Sequence, residues 1–215
     1  MTKAEIVFKD ELDYIGSKSV RDIVVKCFDK LAADYFWDFS ASSSHLHHPE
    51  VCNGKHGIVI HTKLCVWWGR KLAESFNTVD LDIAIAALLL HDIQKFGKIL
   101  TADDKPSLAS YTSTHGPMTA VQIMSLYRDL NVHKEVAETI TYISACVAMH
   151  MGKWTDPCMA EYWKDKLDDM ESYSRQKQDC DIEMASVVVS MADYAASRQV
   201  DKKFKEFDNY EFPEV

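Results

Sequence analysis

The chain has 215 residues, 47% of them hydrophobic, with 24 Lys and Arg against 33 Asp and Glu for a formal net charge of -9. That is enough apolar material for one sizeable core, and a single domain is the expectation. The negative field opposes a nucleic-acid polymer or an anionic membrane surface as partner, but a small anionic ligand can still be held where a metal or a few lysines reverse the local sign.

The opening segment MTKAEIVFKDELDYIG is charged throughout, and the longest purely apolar run falls far short of the ~20 residues that cross a bilayer. Six cysteines, at 27, 52, 65, 146, 158 and 180, form no CxxC pair. Reduced thiols in a soluble, cytoplasmic protein are therefore expected.

Helical periodicity dominates and strand-like alternation is hard to find, which predicts an all-α fold. Ser19 with Asp22 reads as a capping box, followed by an apolar face of Val20, Ile23, Val24, Cys27, Phe28 and Leu31 on a helix through the thirties. The stretch SASSSHLHHPEVCNGKHG, residues 40 to 57, is rich in Ser, Pro, Asn, Gly and His and predicts a loop.

Helical text resumes at about Ile58 and runs to Phe76, with His61, Leu64, Cys65, Trp68 and Leu72 on one face. The next helix starts at Asp80 or Asp82, either of which can cap it. Its eight apolar residues Ile83 to Leu90 end in His91 and Asp92, expected in its last turns, with Gly97 as the stop.

A polar connector then leads to His115 at the entrance of a helix that Pro117 is suited to begin. A further helix from about Lys134 carries Val136, Ile140, Ile143 and Val147 in one stripe, and the same spacing lands on His150 before Gly152. Residues 153 to 178 are polar with scattered aromatics and carry no clear period. The last helix begins near Asp179 or Asp181 and turns Ile182, Ala185, Val189, Asp193 and Ala196 inward. The tail, 201 to 215, alternates charge with Phe and Tyr.

Five segments thus turn an imidazole or a carboxylate toward a common interior: His61, His91 with Asp92, His115, His150 and Asp193. Such groups are costly to bury singly and satisfy one another best around a cation. Each histidine alone is more often a hydrogen-bonded core residue; the joint pattern argues for metal. Neutral imidazoles suit Fe, Mn, Zn, Co or Ni, and Asp92, between ligand-bearing neighbours, is the natural bridge between two ions. Lys95, four residues beyond His91, is placed one helical turn along to meet an anionic substrate.

These residues resemble the HD-domain metal-dependent phosphohydrolases. The likeness covers roughly residues 40 to 200, with "GIVIHTKL" similar to the first-histidine helix, "ALLLHDIQKFG" to the name-giving motif with its lysine, and "SMADYAASR" to the final aspartate helix. The resemblance implies an all-helical HD core at 40–200, N-terminal helices 1–39 packed on it, and a tail at 201–215. It further implies two divalent ions, drawn from Mn, Fe, Co, Ni, Zn or Mg. His61, His91, Asp92 and Asp193 would hold one, and Asp92, His115 and His150 the other.

Asp92 and Lys95 would then act in catalysis. Lys55, His56, His48 and His47 of the preceding loop would contact substrate or move a proton, or else be a solvated loop. Arg198 would reach a phosphate or serve in a surface salt bridge. His45 and His133 read as surface residues. The GYP element of cyclic-di-GMP phosphodiesterases and the HDxxED text of guanosine tetraphosphate hydrolases are missing, so the resemblance implies a small phosphate ester, a nucleotide, as the expected substrate. The alternatives are a mixed-valent di-iron oxygenase on the same scaffold and, in a third class, a non-catalytic nucleotide-binding module.

Overall fold

The computed structural model describes residues 1–44, 48–76, 79–97, 104–105, 107–128, 132–174, 182–198 and 210–213. The side chains of 110, 167–174, 182 and 183 lie outside that description. Among the described residues all regular structure is helical. The helices are α1 (Lys3–Val7), α2 (Lys9–Asp13), α3 (Lys18–Leu31), α4 (Asp34–Asp38), α5 (Gly57–Ala73), α6 (Leu81–Leu90), α7 (His115–Arg128), α8 (Lys134–Met149), α9 (Pro157–Ser174) and α10 (Ile182–Arg198). The all-α expectation holds.

At the centre is α6, whose residues 83 to 90 are all buried. A helix that is apolar all round has to be enclosed. It is, by α3, α5, α8 and α10. Contact between α5 and α6 is close because residue 69 is glycine: a Cβ there would lie 2.2 Å from Leu88 Cδ1. One continuous apolar core runs from Ala4 in α1 to Ala196 in α10.

Asp80 caps α6, its carboxylate accepting from the Ile83 amide at 3.1 Å. Asp82 is used elsewhere, accepting from the amides of Gly16 and Ser17 at 2.8 Å each and so fixing the entrance of α3 to that of α6. The expected Ser19–Asp22 box is corrected: Ser17 is the cap, accepting from the Val20 amide, and Asp22 pairs with Lys18 instead. The helix expected through the thirties stops at Leu31, and α4 starts afresh at Asp34, turning Tyr35, Phe36 and Trp37 inward. In the stretch without readable period, Pro157 opens α9, which buries Trp163.

The starting residues proposed for the last helix, Asp179 and Asp181, lie outside the described residues, as do His45, His47 and 201–209. Tyr210 and Phe212 pack against the core. His133 is exposed at the entrance of α8. Cys27, Cys52, Cys65, Cys146 and Cys158 are free thiols. Among the described residues no helix is long and apolar enough to cross a membrane.

Gly69→Ala tests the α5–α6 contact. In an exposed helix interior this change stabilises by about 1 kcal/mol, but here the added methyl meets Leu88, fully buried and closely surrounded. Overpacking costs about 1–3 kcal/mol, so the variant should melt at a lower temperature; a higher one would mean that Leu88 repacks freely.

Candidate metal centre

His61 and Asp193 project from the middles of α5 and α10, whereas the other residues sit at helix ends. His91 caps the C-terminus of α6, Asp92 follows it, His115 opens α7 and His150 caps the C-terminus of α8. Asp92 is thus not in the last turns of its helix, as its spacing suggested: α6 ends at Leu90, and residues 91 to 97 continue as turns. Those turns are fixed by bonds from the Tyr35 hydroxyl to the Ile93 carbonyl, from Gln94 Nε2 to the Leu31 carbonyl and from the Thr112 amide to the Lys95 carbonyl.

Three of the imidazoles share one orienting device. Nδ1 of His91, His115 and His150 donates to the carbonyl three residues earlier, of Leu88, Thr112 and Val147, at 2.7, 2.5 and 2.7 Å. At the ends of α6 and α8 this engages one of the last carbonyls of the helix, that of Val147 accepting from the His150 amide as well, and in all three it fixes the tautomer. Each Nε2 is left with its lone pair free. Gly116 makes room for one of these rings, since a Cβ there would lie 2.8 Å from His150 Cε1.

These three nitrogens and His61 Nε2 converge on the two oxygens of Asp92, which divide between them. Oδ2 lies 3.5 Å from His61 Nε2 and 3.3 Å from His91 Nε2, while Oδ1 lies 3.0 Å from His115 Nε2 and 3.9 Å from His150 Nε2. His61 Nε2 is 3.1 Å from Asp193 Oδ1 and 3.3 Å from His91 Nε2; His115 and His150 Nε2 are 3.1 Å apart. Lys95 Nζ approaches Asp92 Oδ2 to 2.7 Å from the cleft side.

Burial decides the electrostatics. The His61 imidazole is pushed below its ordinary value by burial, against the pull of Asp193, and His150 is pushed to about 3 by burial and then by His115 and His91. For His91 burial also disfavours the charge, but Asp92 outweighs it and the value rises. Burial alone would raise both carboxylates. Lys95 and His91 overcome it at Asp92, and His61 and His91 at Asp193, so both stay ionised far below the usual carboxylate range. Asp92, buried, and Asp193, 16% exposed at its side chain, thus stand close together with the Lys95 ammonium on Asp92 alone, and with the negatively polarised carboxyl ends of α6 and α8 close by.

The residues suit a cation. Asp92 has neither oxygen in a well-formed hydrogen bond although both are buried, and that is an expensive condition for a carboxylate. Two donor groups result, His61, Cys65, His91 and Asp193 in one and Asp92, His115 and His150 in the other, and either can hold a divalent ion. Cys65 escaped the sequence reading as a donor because a buried cysteine is usually core. Its signal was the four-residue spacing from His61.

A cleft of about 810 Å³ opens on this centre, its lining including Asp92, Lys95, His115, His150 and Asp193. Trp68, Leu72, Met151 and Met191 supply apolar wall, and Lys153, Trp154, Tyr194 and Arg198 also line it. Lys153 and Trp154 come from the unreadable stretch.

Of the loop residues, His48 lines the cleft, its ring 4.8 Å from that of His61 and its Nε2 3.3 Å from Ser197 Oγ. Lys55 and His56 are not brought to it. Lys55 is exposed and 3.8 Å from Asp38. His56 takes a left-handed conformation at the start of α5, directs Nδ1 to the Trp37 carbonyl and stacks on Phe212. Comparison of the chain with family models, with curated proteins and with solved structures finds no match.

A ligand that binds only the native state stabilises it by about 2.7 kcal/mol at a hundred times its Kd. Mn2+ or Zn2+ at that excess should raise the melting temperature, and EDTA should reverse the rise. In Asp92→Ala both effects should be largely lost, and a wild-type response there would count against Asp92 as the shared ligand.

Proposed function

We propose that the chain is a metal-dependent phosphohydrolase of the HD-domain type, with core 40–200, cleaving a small anionic phosphate ester of the nucleotide class in the cytoplasm. The observation that carries the reading is the division of the Asp92 oxygens between two groups of imidazoles, at the floor of a cleft that also holds Lys95. In this reading His61, His91, Asp92 and Asp193 hold one ion and Asp92, His115 and His150 the other.

Two divalent ions bound there would supply Lewis acidity toward phosphoryl oxygens and lower the pKa of a water from 15.7 to about 7. The chain's own residues supply the rest. Lys95, 11% exposed at its side chain and beside Asp92, offers a fixed positive charge to the oxygens of a phosphoryl group. Lys153 and Arg198, also on the cleft lining, favour an anionic substrate despite the net charge of -9. The apolar walls displace water, which strengthens each of these interactions. His48 and Ser197, in contact with each other, offer polar groups for the remainder of the substrate. Lys55 and His56 have no role in this reading, since neither lines the cleft.

The test is metal analysis of protein purified without chelator, followed by assay of nucleotides and generic phosphodiesters with Mn2+, Co2+, Mg2+ and Fe2+ in turn. Phosphate release should depend on added metal. Oxygen consumption without phosphate release would replace the hydrolase with an HD-type di-iron oxygenase. Lys95→Ala should keep its metal and lose turnover on the order of 10²-fold, the effect of removing one charge-stabilising donor; joint loss of metal and activity would make Lys95 structural.

Metal stoichiometry separates one ion from two. His115→Ala and His150→Ala should each leave close to one ion per chain, because the first group keeps its own ligands while the second falls from three to two. Asp92→Ala should deplete both. A wild-type protein saturating at one ion, with both histidine variants fully active, would return His115 and His150 to a structural role.

A further inference from the structure

The first donor group contains an atom that the proposed function does not use. Cys65 lies one turn beyond His61 on α5 and is fully buried. Its Sγ is 3.4 Å from His61 Nε2 and 3.9 Å from His91 Nε2, and it stands within 4.8 Å of the donor atom of Asp193. We propose that Cys65 enters this group as a thiolate ligand, so that the ion held with His61, His91 and Asp193 is a thiophilic one, Zn2+, Co2+ or Fe2+, in preference to Mg2+ or Mn2+. The inference rests on the metal centre of the proposed function.

Distances carry the argument. Donors around one ion, at about 2.0–2.1 Å for nitrogen or oxygen and about 2.3 Å for sulfur, are separated by roughly 3.3 Å for nitrogen and oxygen pairs and roughly 3.6 Å for sulfur and nitrogen when four are set tetrahedrally, and neighbours are somewhat closer when Asp92 Oδ2 makes a fifth. The nitrogen and oxygen separations here are 3.1, 3.3 and 3.8 Å, and those from sulfur to nitrogen are 3.4 and 3.9 Å. The donors therefore stand at the spacing of a coordination shell.

The competing explanation is a core thiol donating to His61. The Asp193 carboxylate can only accept, so His61 Nε2 must carry its proton to bond it at 3.1 Å and cannot also accept from the nearest sulfur, at 3.4 Å. The thiol is then left with His61 Nδ1 at 3.8 Å and His91 Nε2 at 3.9 Å, both long contacts, as acceptors. With a cation the shortest contact is used as well, because nitrogen, oxygen and sulfur then direct lone pairs at one point. Coordination breaks the S–H bond, forms a sulfur–metal bond and sends one proton to solvent. Among the described residues the other free cysteines stand outside both donor groups, and the second group, Asp92 with His115 and His150, has no sulfur. The two positions differ in softness, and so in the ion each favours.

Cobalt reads this out independently of turnover. Chelator-stripped protein carrying Cys158→Ser and Cys180→Ser, to remove one exposed thiol and one outside the described residues, is titrated with Co2+. The expected result is visible d–d bands together with a near-ultraviolet charge-transfer band from thiolate to cobalt. Cys65→Ser should keep visible bands, lose the charge-transfer band, and bind Zn2+ more weakly while its Mn2+ affinity holds. Visible bands without charge transfer, or an unchanged charge-transfer band in Cys65→Ser, would overturn the thiolate ligand and leave the metal centre standing. A chain that binds no cobalt would overturn the metal centre itself. Should Cys65→Ser fail to fold, Cd2+ bound to the parent protein decides, since absence of a sulfur-to-cadmium absorption there also overturns the inference.

Discussion

A single buried carboxylate organises this molecule. Asp92 is 1% exposed, faces imidazole nitrogens with both oxygens, and has neither oxygen in a well-directed hydrogen bond. An isolated carboxylate in that position would protonate or unfold its surroundings. Here it stays ionised because of Lys95 and His91, its neighbours along the chain, and His115 from the start of α7, while His61 and His150 face it from α5 and the end of α8. The polar centre sits where α5, α6, α7, α8 and α10 meet; the apolar core that secures those helices is also what makes the centre costly unless it is charge-balanced.

The balance is built from helix ends. A helix leaves its last carbonyls short of partners, and His91 and His150 turn Nδ1 back onto the third preceding carbonyl, at Val147 in addition to the His150 amide. One bond therefore completes a helix and aims a ligand. The same economy applies at α3 and α6, where Asp80 caps one helix while Asp82 holds the entrance of the other. With the start of α6 secured in this way and its interior enclosed on all sides, the position of His91 at its far end is fixed by the whole core.

What could be read in the sequence was whatever depends on periodicity. The apolar run 83–90 announced a fully enclosed helix, and the stripe from Val136 to Val147 extended correctly to His150 at the end of α8. The inward face of Asp193 followed from the same spacing. What could not be read depended on chain reversal. His56 and Lys55 are adjacent to the first-histidine helix in sequence, but the left-handed turn at His56 directs its ring to Trp37 and Phe212, away from the cleft. The end of α6 at Leu90 was likewise invisible, because residues 91 to 97 are helix-compatible text held in turns by Leu31, Tyr35 and Thr112 from elsewhere in the fold. Lys153 and Trp154 reach the cleft through a short turn between α8 and α9, a stretch with no period to betray it.

The end of α6 bears on how Lys95 works. On a continued helix Lys95 would share a face with His91, four residues back, and its contact with Asp92 would be incidental. In the observed turns its ammonium lies 2.7 Å from Asp92 Oδ2, the oxygen that also faces His61 and His91. One atom is therefore contested by the protein's own cation and by any ion the first group holds. The ammonium is paired with Asp92 alone, because Asp193 is paired with His61 instead. A divalent ion that takes over Oδ2 competes with Lys95 for its partner, and the side chain, partly exposed on the cleft side, then has its positive charge available to a bound anion. In the proposed function, filling of the donor groups and attraction of an anionic substrate would be coupled through one oxygen atom.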